Sequence, residues 1–264
     1  MTQEHQNYLK KIKKEKYIII ISQILLLIFF ILIWEVLAKF NIIDPFIFSK
    51  PSKIFTLFID YSKSGELFIH TAVSTYEVIL GLFIGTLSGL IISVILYEIK
   101  LMAKVLDPYL VVLNALPKTA LAPIFIIWVG TNTTGIVFVS ISISLIITII
   151  NGLNALNNIE EDKIKLFMTF KASKWQILRY LLIPANTNEI LNIIRINIGM
   201  SWIGVIVAEF IVSKRGLGYL ITYGTQIFRL DIVMMGVVTL AIVTILMYQV
   251  LNIIAKIIKM KKGN

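Results

Sequence analysis

Residues 160–184 read EEDKIKLFMTFKASKWQILRYLLIP and carry eight charges: Glu160, Glu161, Asp162, Lys163, Lys165, Lys171, Lys174 and Arg179. Each charge at the centre of a bilayer costs roughly 2.5–3.5 kcal/mol even on the lenient insertion scale, so this stretch cannot span. Its surroundings are apolar enough to do so, which makes it a water-facing loop between spans. The loop is structured. Trp175, Leu178, Leu181 and Leu182 recur at helical spacing, with Lys174, Gln176 and Arg179 on the remaining surface. Ser173 followed three residues later by Gln176 fits a capping box and predicts a helix starting at Lys174. Ile164, Phe167 and Met168 form a shorter apolar stripe on a preceding helix. The reading is a helix–turn–helix hairpin with one apolar side, shaped to dock into a groove on another protein.

The rest of the chain agrees with a membrane setting. Of its 264 residues 58% are hydrophobic, against about 45–50% in soluble domains, and its mean hydropathy is +0.87. Cysteine is absent, which excludes disulfides, thiolate metal sites and a cysteine nucleophile. The net charge of +10 would point to nucleic acid in a soluble protein; here the topology rule accounts for it, and no nucleic-acid partner is expected.

Six spans follow in order. Residues 1–16 are a polar basic tail, and Tyr17 to Trp34 is 18 residues without a charge, read as a retained first helix rather than a cleaved signal. Phe68 to Tyr97 is the second span; Gly81, Gly85 and Gly89 at four-residue spacing give it a face for close helix packing. The uncharged run from Thr119 to Ile159 is too long for one helix and is interrupted by the turn formers at 130–135, so a third span covers 104–129 and a fourth 136–151. The fifth covers 188–212 and the sixth 232–255, ahead of a basic tail at 256–264. Sixteen basic residues fall on the side of the two termini and the hairpin, and seven on the other. That bias predicts cytoplasmic N and C termini and a cytoplasmic hairpin.

With the spans placed, several motifs resemble one family. Residues 160–184 keep the spacing of the coupling loop of ABC-importer permeases around Lys171, Leu181, Ile183 and Pro184, although Lys165-Leu166-Phe167 stands where that family has Glu-Ala-Ala and Lys171 where it has glycine. Trp34-Glu35 with Ser49-Lys50-Pro51-Ser52-Lys53, Leu116 to Pro123 leading to Trp128-Val129-Gly130, Leu191 to Gly199, Val207-Ala208-Glu209 and Gly216-Leu217-Gly218-Tyr219 resemble the nitrate, aliphatic sulfonate and taurine branch. The likeness covers about residues 34–255. It implies an all-α membrane protein with six transmembrane helices, the type I ABC importer permease fold. It also implies a multi-pass location in a bacterial cytoplasmic membrane and a permease domain at 66–255, with its coupling loop at 154–185 and an extracellular segment before it in 17–65. The implied partners are a second permease copy in a homodimer, two cytoplasmic ATPase subunits, an extracellular or periplasmic solute-binding protein, and membrane lipid. The coupling candidates are Glu161, Lys165, Lys171, Ala172, Ser173, Trp175, Leu178 and Pro184. The pathway candidates are Asn114, Pro117, Lys118, Thr119, Pro123, Arg195, Trp202 and Glu209.

The residues themselves define the chemistry. No G-x-x-x-x-G-K-[ST] phosphate loop and no H-E-x-x-H occurs, so ATP hydrolysis is expected from a separate subunit, and no cofactor or metal is expected. Pro117 and Pro123 each remove a backbone donor inside the third span, and such irregularity is tolerated at membrane depth where it is buried or lines a wet cavity. Lys118 and Arg195 lie inside spans, where an ionisable group faces a cavity or a partner. For Arg195 the alternative is an ion pair with Glu189, Glu209 or a carboxylate on another helix, and for Lys118 snorkelling toward an interface. Two cations on a pathway would suit a small anionic solute. Two other classes remain open on the residues alone. A membrane-embedded lipid-modifying enzyme would need clustered acids or histidines, for which Glu160-Glu161-Asp162 is the candidate. A secondary transporter would need paired inverted halves.

Overall fold

The computed structural model describes residues 3–262. Its first helix, α1 (Gln3–Lys39), contains no Gly or Pro, so the basic tail runs into the apolar segment without a break. No residue of its most apolar stretch is buried against the rest of the chain. A capped turn follows. Asp44 accepts from the Phe46 amide at 2.8 Å and starts the short α2 (Pro45–Phe48), and α3 (Pro51–Lys63) begins three residues later. Glu35 accepts from the Ser52 amide (3.0 Å) and from Ser52 Oγ (2.8 Å), so a carboxylate near the end of α1 caps the N-terminus of α3. That contact gives the Trp34-Glu35…Ser52 motif its physical basis.

The membrane core is built from α4 (Glu66–Glu98), α5 (Lys100–Ala115), α6 (Ala122–Val129), α7 (Thr133–Asn157), α11 (Thr187–Val212) and α13 (Leu230–Lys262). Between α7 and α11 lie the hairpin elements α8 (Glu161–Thr169), α9 (Lys174–Ile177) and α10 (Ile183–Ala185); the short α12 (Leu217–Gln226) joins α11 to α13. Among the described residues five helices are each long and apolar enough to cross a membrane, and the bent pair α5–α6 makes the sixth.

That pair departs from the expected single span over 104–129. Its two parts meet at 83°. Pro117 is the cause: the residue before a proline is pushed out of helical geometry, and Leu116 is extended (φ −64°, ψ 137°). A 3-10 turn, Lys118–Leu121, then leads into α6. Pro123, expected to disturb the helix as well, does not. It sits in the first turn of α6, where an amide has no intrahelical partner to lose. Pro108, passed over in the sequence, lies inside α5.

The seam between α4 and α7 holds the bundle together. A Cβ at Gly81 would overlap Ser140 Oγ, one at Gly85 would overlap Ser144 Oγ, and one at Gly89 would stand 2.5 Å from Thr148 Cβ. Ser140, Ser144, Thr148 and Gly152 repeat the four-residue spacing on the facing helix, and Gly204 of α11 closes on the Ser140 backbone. Such small-residue faces bring backbones close enough for dispersion to drive association where lipid offers no hydrophobic force. The hydroxyls are satisfied locally, with Ser144 Oγ donating to the Ser140 carbonyl and Thr148 Oγ1 to that of Ser144. Asn197 of α11 donates to Thr86 (2.8 Å) and Thr148 (2.6 Å), pinning the third helix to the seam.

Candidate functional site

Two regions carry the residues singled out by the sequence. The first is the hairpin. Ser173 Oγ accepts from the Gln176 amide at 3.3 Å and Gln176 Oε1 accepts from the Ser173 amide at 2.7 Å, so the capping box forms and α9 begins at Lys174. Lys171 turns the chain with φ 57°, the left-handed region that favours glycine. After Ile177 the helix widens into a π turn, Leu178–Leu182, directly ahead of Pro184, which has no amide to return to Tyr180.

The apolar side of this hairpin faces inward. Ile177, Leu178 and Leu182 are buried in a cluster with Leu156 of α7, and Ile164, Phe167 and Ala172 pack against it beside Val94 and Tyr97 of α4. Leu178, expected as a contact for a partner, is buried in this cluster, where the stripe it belongs to covers the end of the α4–α7 seam. Trp175 stays 64% exposed and borders an apolar cleft of about 420 Å³ between α4 and α11. The surface presented outward is the tip, where Leu166, Met168 and Phe170 are exposed, Phe170 by 78%. Sequence periodicity found Met168 but missed Leu166 and Phe170, whose signal is apolar character at a turn. Ion pairs surround the tip: Lys174–Glu98 at 2.8 Å, Lys163–Glu160 at 3.0 Å, and Lys165 with Asp162 (3.1 Å) and Glu161 (3.9 Å). The hydrogen bond it donates to Glu98, and then the charge of that carboxylate, holds the Lys174 ammonium above the ordinary lysine range.

The second region is a polar cavity of about 750 Å³ at the hairpin end of α7 and α11. Asn151, Asn154 and Asn158 line it from α7 and the residue after it, and Asn186, Glu189, Asn192 and Arg195 line it from the α11 side, with Glu160 and Lys163 at its rim. Arg195 Nη1 donates to Asn192 Oδ1 (2.8 Å) and Nη2 to Asn252 Oδ1 of α13 (3.2 Å). Among the described residues it forms no ion pair, so the structural pairing with Glu189 or Glu209 does not exist. Its guanidinium is held by neutral amides on a cavity wall, an arrangement that leaves its charge free for an anion.

The remaining pathway candidates separate from that cavity. Lys118 Nζ returns to the Asn114 carbonyl (3.1 Å) and Asn114 Oδ1 (3.4 Å) and does not line it, so the two cations do not share a site. Asn114, Pro117, Thr119 and Pro123 lie on the exposed surface of the broken span. Trp202, 4% exposed, fills the main core with Val139 and Val205. Glu209 is buried at the far end of α11, where its carboxylate accepts from Ser74 Oγ and the Gly218 amide, both at 2.6 Å.

That far end contains functional geometry the sequence did not disclose. Asp231, 4% exposed at the start of α13, binds Arg229 (3.0 Å) and Lys53 of α3 (3.2 Å). The Asp231 hydrogen bond raises the Arg229 guanidinium further above its already high range. The signal was an acid directly before an uncharged span with no partner in its own helix.

In comparison with known proteins, residues 78–262 match the family described as binding-protein-dependent transport system inner membrane component. A protein of Bacillus subtilis assigned as an aliphatic sulfonates transport permease is 28% identical over 81% of this chain and 77% of its own length. The taurine transport system permease protein of Escherichia coli is 23% identical over 81% and 80%. The riboflavin transport system permease protein of Chloroflexus aurantiacus is 26% identical over 90% and 87%.

Proposed function

The chain belongs to the family of binding-protein-dependent transport system inner membrane components, and from that premise we propose that the Arg195 cavity is the inner exit of a pathway for a small anion. The protein is the permease subunit of an ABC importer, a multi-pass protein of the cytoplasmic membrane that moves a solute rather than transforming it. ATPase subunits and a solute-binding protein work with it. The lipid-modifying enzyme and the secondary transporter drop out with the family.

The observation that carries the anion is Arg195, a guanidinium with only amide partners on an asparagine-lined wall. Asparagines satisfy an anion's hydrogen bonds, and the cations Arg195 and Lys163 offset the Glu189 and Glu160 carboxylates in the same lining, which biases the site without trapping its cargo. The sulfonate and taurine relatives are in keeping with it. The basic bias supports a cytoplasmic hairpin and cytoplasmic termini. The tip at Leu166, Met168 and Phe170, with Glu161, Lys165, Lys171, Ala172, Ser173 and Trp175 around it, docks on the ATPase, while Leu178 and Pro184 fix the hairpin's angle to α11. A second copy of the chain completes the passage. Helix α5 has no buried residue, yet Asn114, Lys118 and Thr119 stand along and after it at membrane depth, where lipid cannot satisfy them.

The test is uptake by the whole importer in proteoliposomes, offering an alkanesulfonate, nitrate and riboflavin in turn. Arg195→Gln should lower anion uptake at least about tenfold, a loss near 1.4 kcal/mol, while ATPase co-purification is unchanged. Full anion uptake by the variant, or a preference for riboflavin in the unaltered protein, would overturn the reading.

A further inference from the structure

The hairpin and the bundle enclose an apolar cleft of about 420 Å³ between α4, α7 and the start of α11. Gly152 and Ala155 of α7 form its buried floor, and Leu178 and Leu182 wall it on the hairpin side. Among the described residues none that lines it carries a charge. Ser93 and Asn186 are its polar members, and both turn back on the chain. Ser93 Oγ donates to the Leu90 carbonyl (2.8 Å), and Asn186 Nδ2 donates to that of Leu182 (3.1 Å). A buried water needs about two to four polar partners, which these walls do not offer. The space suits hydrocarbon.

The cleft opens where the chain faces lipid. Ile91 and Ile95 form its rim on α4 and Ile183 forms it on the hairpin side, all three exposed. On α4 this rim continues a stripe, Ile84, Leu87, Ile91 and Ile95, exposed at helical spacing along a helix long and apolar enough to span. Ile95 and Ile91 lie about one and two turns inside the end of α4 at Glu98, the depth at which acyl chains begin beneath their headgroups. At that end stands a cation without an acid. Arg179 is exposed and shares a helix face with Trp175 and Ile183, one turn to either side, and both of these line the cleft. Its guanidinium lies 5.8 Å from the centre of the Tyr180 ring, and among the described residues it forms no ion pair. Glu98, the carboxylate at this end of α4, is taken by Lys174 at 2.8 Å. The exposed Trp175 and Tyr180 are the ring types that sit at headgroup level.

We propose that this cleft binds one acyl chain of an anionic phospholipid from the leaflet at the hairpin end, with the lipid phosphate on Arg179. The two parts of the site divide the recognition. Apolar walls accept a tail without regard to its headgroup, and the guanidinium, a planar fork of donors, selects the phosphate that carries net negative charge. The size of the cleft favours a tail over a protein segment. A helix with its side chains is about 10 Å across, so a single turn of one would fill the whole volume. This inference rests on the membrane setting of the chain and not on the anion pathway. Arg195 lies in the separate polar cavity, so either reading can fail alone.

The experiment uses the assembled transporter in phosphatidylcholine bilayers, with Ile91→Trp placing an indole at the rim and the fluorescence of the unaltered protein subtracted. Phosphatidylglycerol or phosphatidylcholine with the same brominated tails is then added as quencher. Phosphatidylglycerol should reach half-quenching at a mole fraction roughly fivefold lower, the preference that one basic contact supplies, and high salt should shrink the gap. Adding Arg179→Gln should bring the two curves together while ATPase co-purification is unchanged. Adding Ile190→Phe, at a half-buried position on the cleft wall, should weaken quenching by phosphatidylglycerol to the level of phosphatidylcholine. Mass spectra of the unaltered transporter released from mixed bilayers should retain phosphatidylglycerol over phosphatidylcholine by a similar factor, a readout that does not depend on any variant assembling. Coinciding curves before Arg179 is changed, or a preference that survives Arg179→Gln, would overturn the proposal. So would protection of the indole from both lipids, the mark of a protein segment in the cleft. Loss of the ATPase with Arg179→Gln would overturn it too, by giving that side chain to the ATPase.

Discussion

The two ends of this bundle are fastened by different physics. At the end opposite the hairpin, buried acids do the fastening: Glu209 holds the start of α12, and Asp231 joins α13 to α3 through Lys53 and Arg229. At the hairpin end every ion pair is exposed, and what holds is one apolar cluster around Ile177, Leu178 and Leu182. Buried polar contacts have few alternative arrangements and fix a geometry, whereas an apolar patch covered by a mobile element tolerates small shifts. The first end is fixed by directional contacts, and the second by contacts that tolerate small shifts. Between them, the glycine and serine seam packs α4 tightly on α7.

The most disruptive way to break that comparison is to break the seam. Gly85→Leu places a branched side chain where even a Cβ overlaps Ser144 Oγ. Overpacking costs typically about 1–3 kcal/mol, and here no rotamer avoids the facing helix, so the loss should reach the top of that range or beyond. The check is recovery of monodisperse subunit and its resistance to denaturing detergent. A protein of normal recovery and resistance would mean that α4 and α7 separate easily and are not tightly packed.

Next comes a pair of substitutions that divides the hairpin into anchor and tip. Leu182 is 1% exposed, and Leu182→Asp removes about 1.5–3 kcal/mol of burial while forcing a charge into the cluster. The hairpin should become protease-sensitive and the ATPase should no longer co-purify. Phe170→Asp at the exposed tip should leave protease resistance intact but lower substrate-stimulated ATP hydrolysis at least about tenfold. Equal protease sensitivity in both variants would erase the distinction between the two surfaces.

That division also marks what the sequence could and could not convey. Charge-free runs located the spans, since the cost of a charge in lipid leaves a local trace at every residue. The Ser173–Gln176 box located the start of α9 because both partners lie within one turn. Periodicity told that Leu178 and Leu182 need cover, but an apolar stripe reads the same whether its own bundle or another protein covers it. Trp202 and Glu209 meet a related limit: an aromatic and an acid in a span look alike in sequence whether they face a passage or the core. The meeting of Ser74 with Glu209, and of Asp231 with Lys53, depends on helices far apart in the chain. No local pattern records it.

A smaller effect, of opposite sign, tests the hairpin turn. Lys171 holds φ 57°, where a side chain costs about 1–2 kcal/mol that glycine avoids. Glycine's greater freedom in the unfolded chain offsets up to about 1 kcal/mol of this gain. Lys171→Gly should therefore leave coupling intact and make the hairpin slightly more resistant to proteolysis. A marked loss of stimulated ATP hydrolysis would instead assign the lysine side chain a direct contact at the tip.

The smallest effect belongs to Lys174, and it separates charge from burial at the hairpin end. Its ammonium reaches Glu98 at 2.8 Å and ties α9 to the end of α4, but its side chain is 81% exposed. Solvent and salt screen such a pair. The Glu98 hydrogen bond raises the lysine above its ordinary range, so the contribution is fully present at neutral pH. It is fully present below the ordinary lysine value and is lost as pH rises from there through the raised one. Lys174→Gln should therefore differ little from the unaltered protein near neutrality in ATPase co-purification and hairpin proteolysis. Any small difference should shrink in high salt and vanish at strongly alkaline pH, where the unaltered pair has lost its charge too. If Lys174→Gln releases the ATPase as fully as Leu182→Asp, the hairpin is fastened by charge at both ends of the molecule, and the contrast between a buried polar lock and an apolar anchor fails.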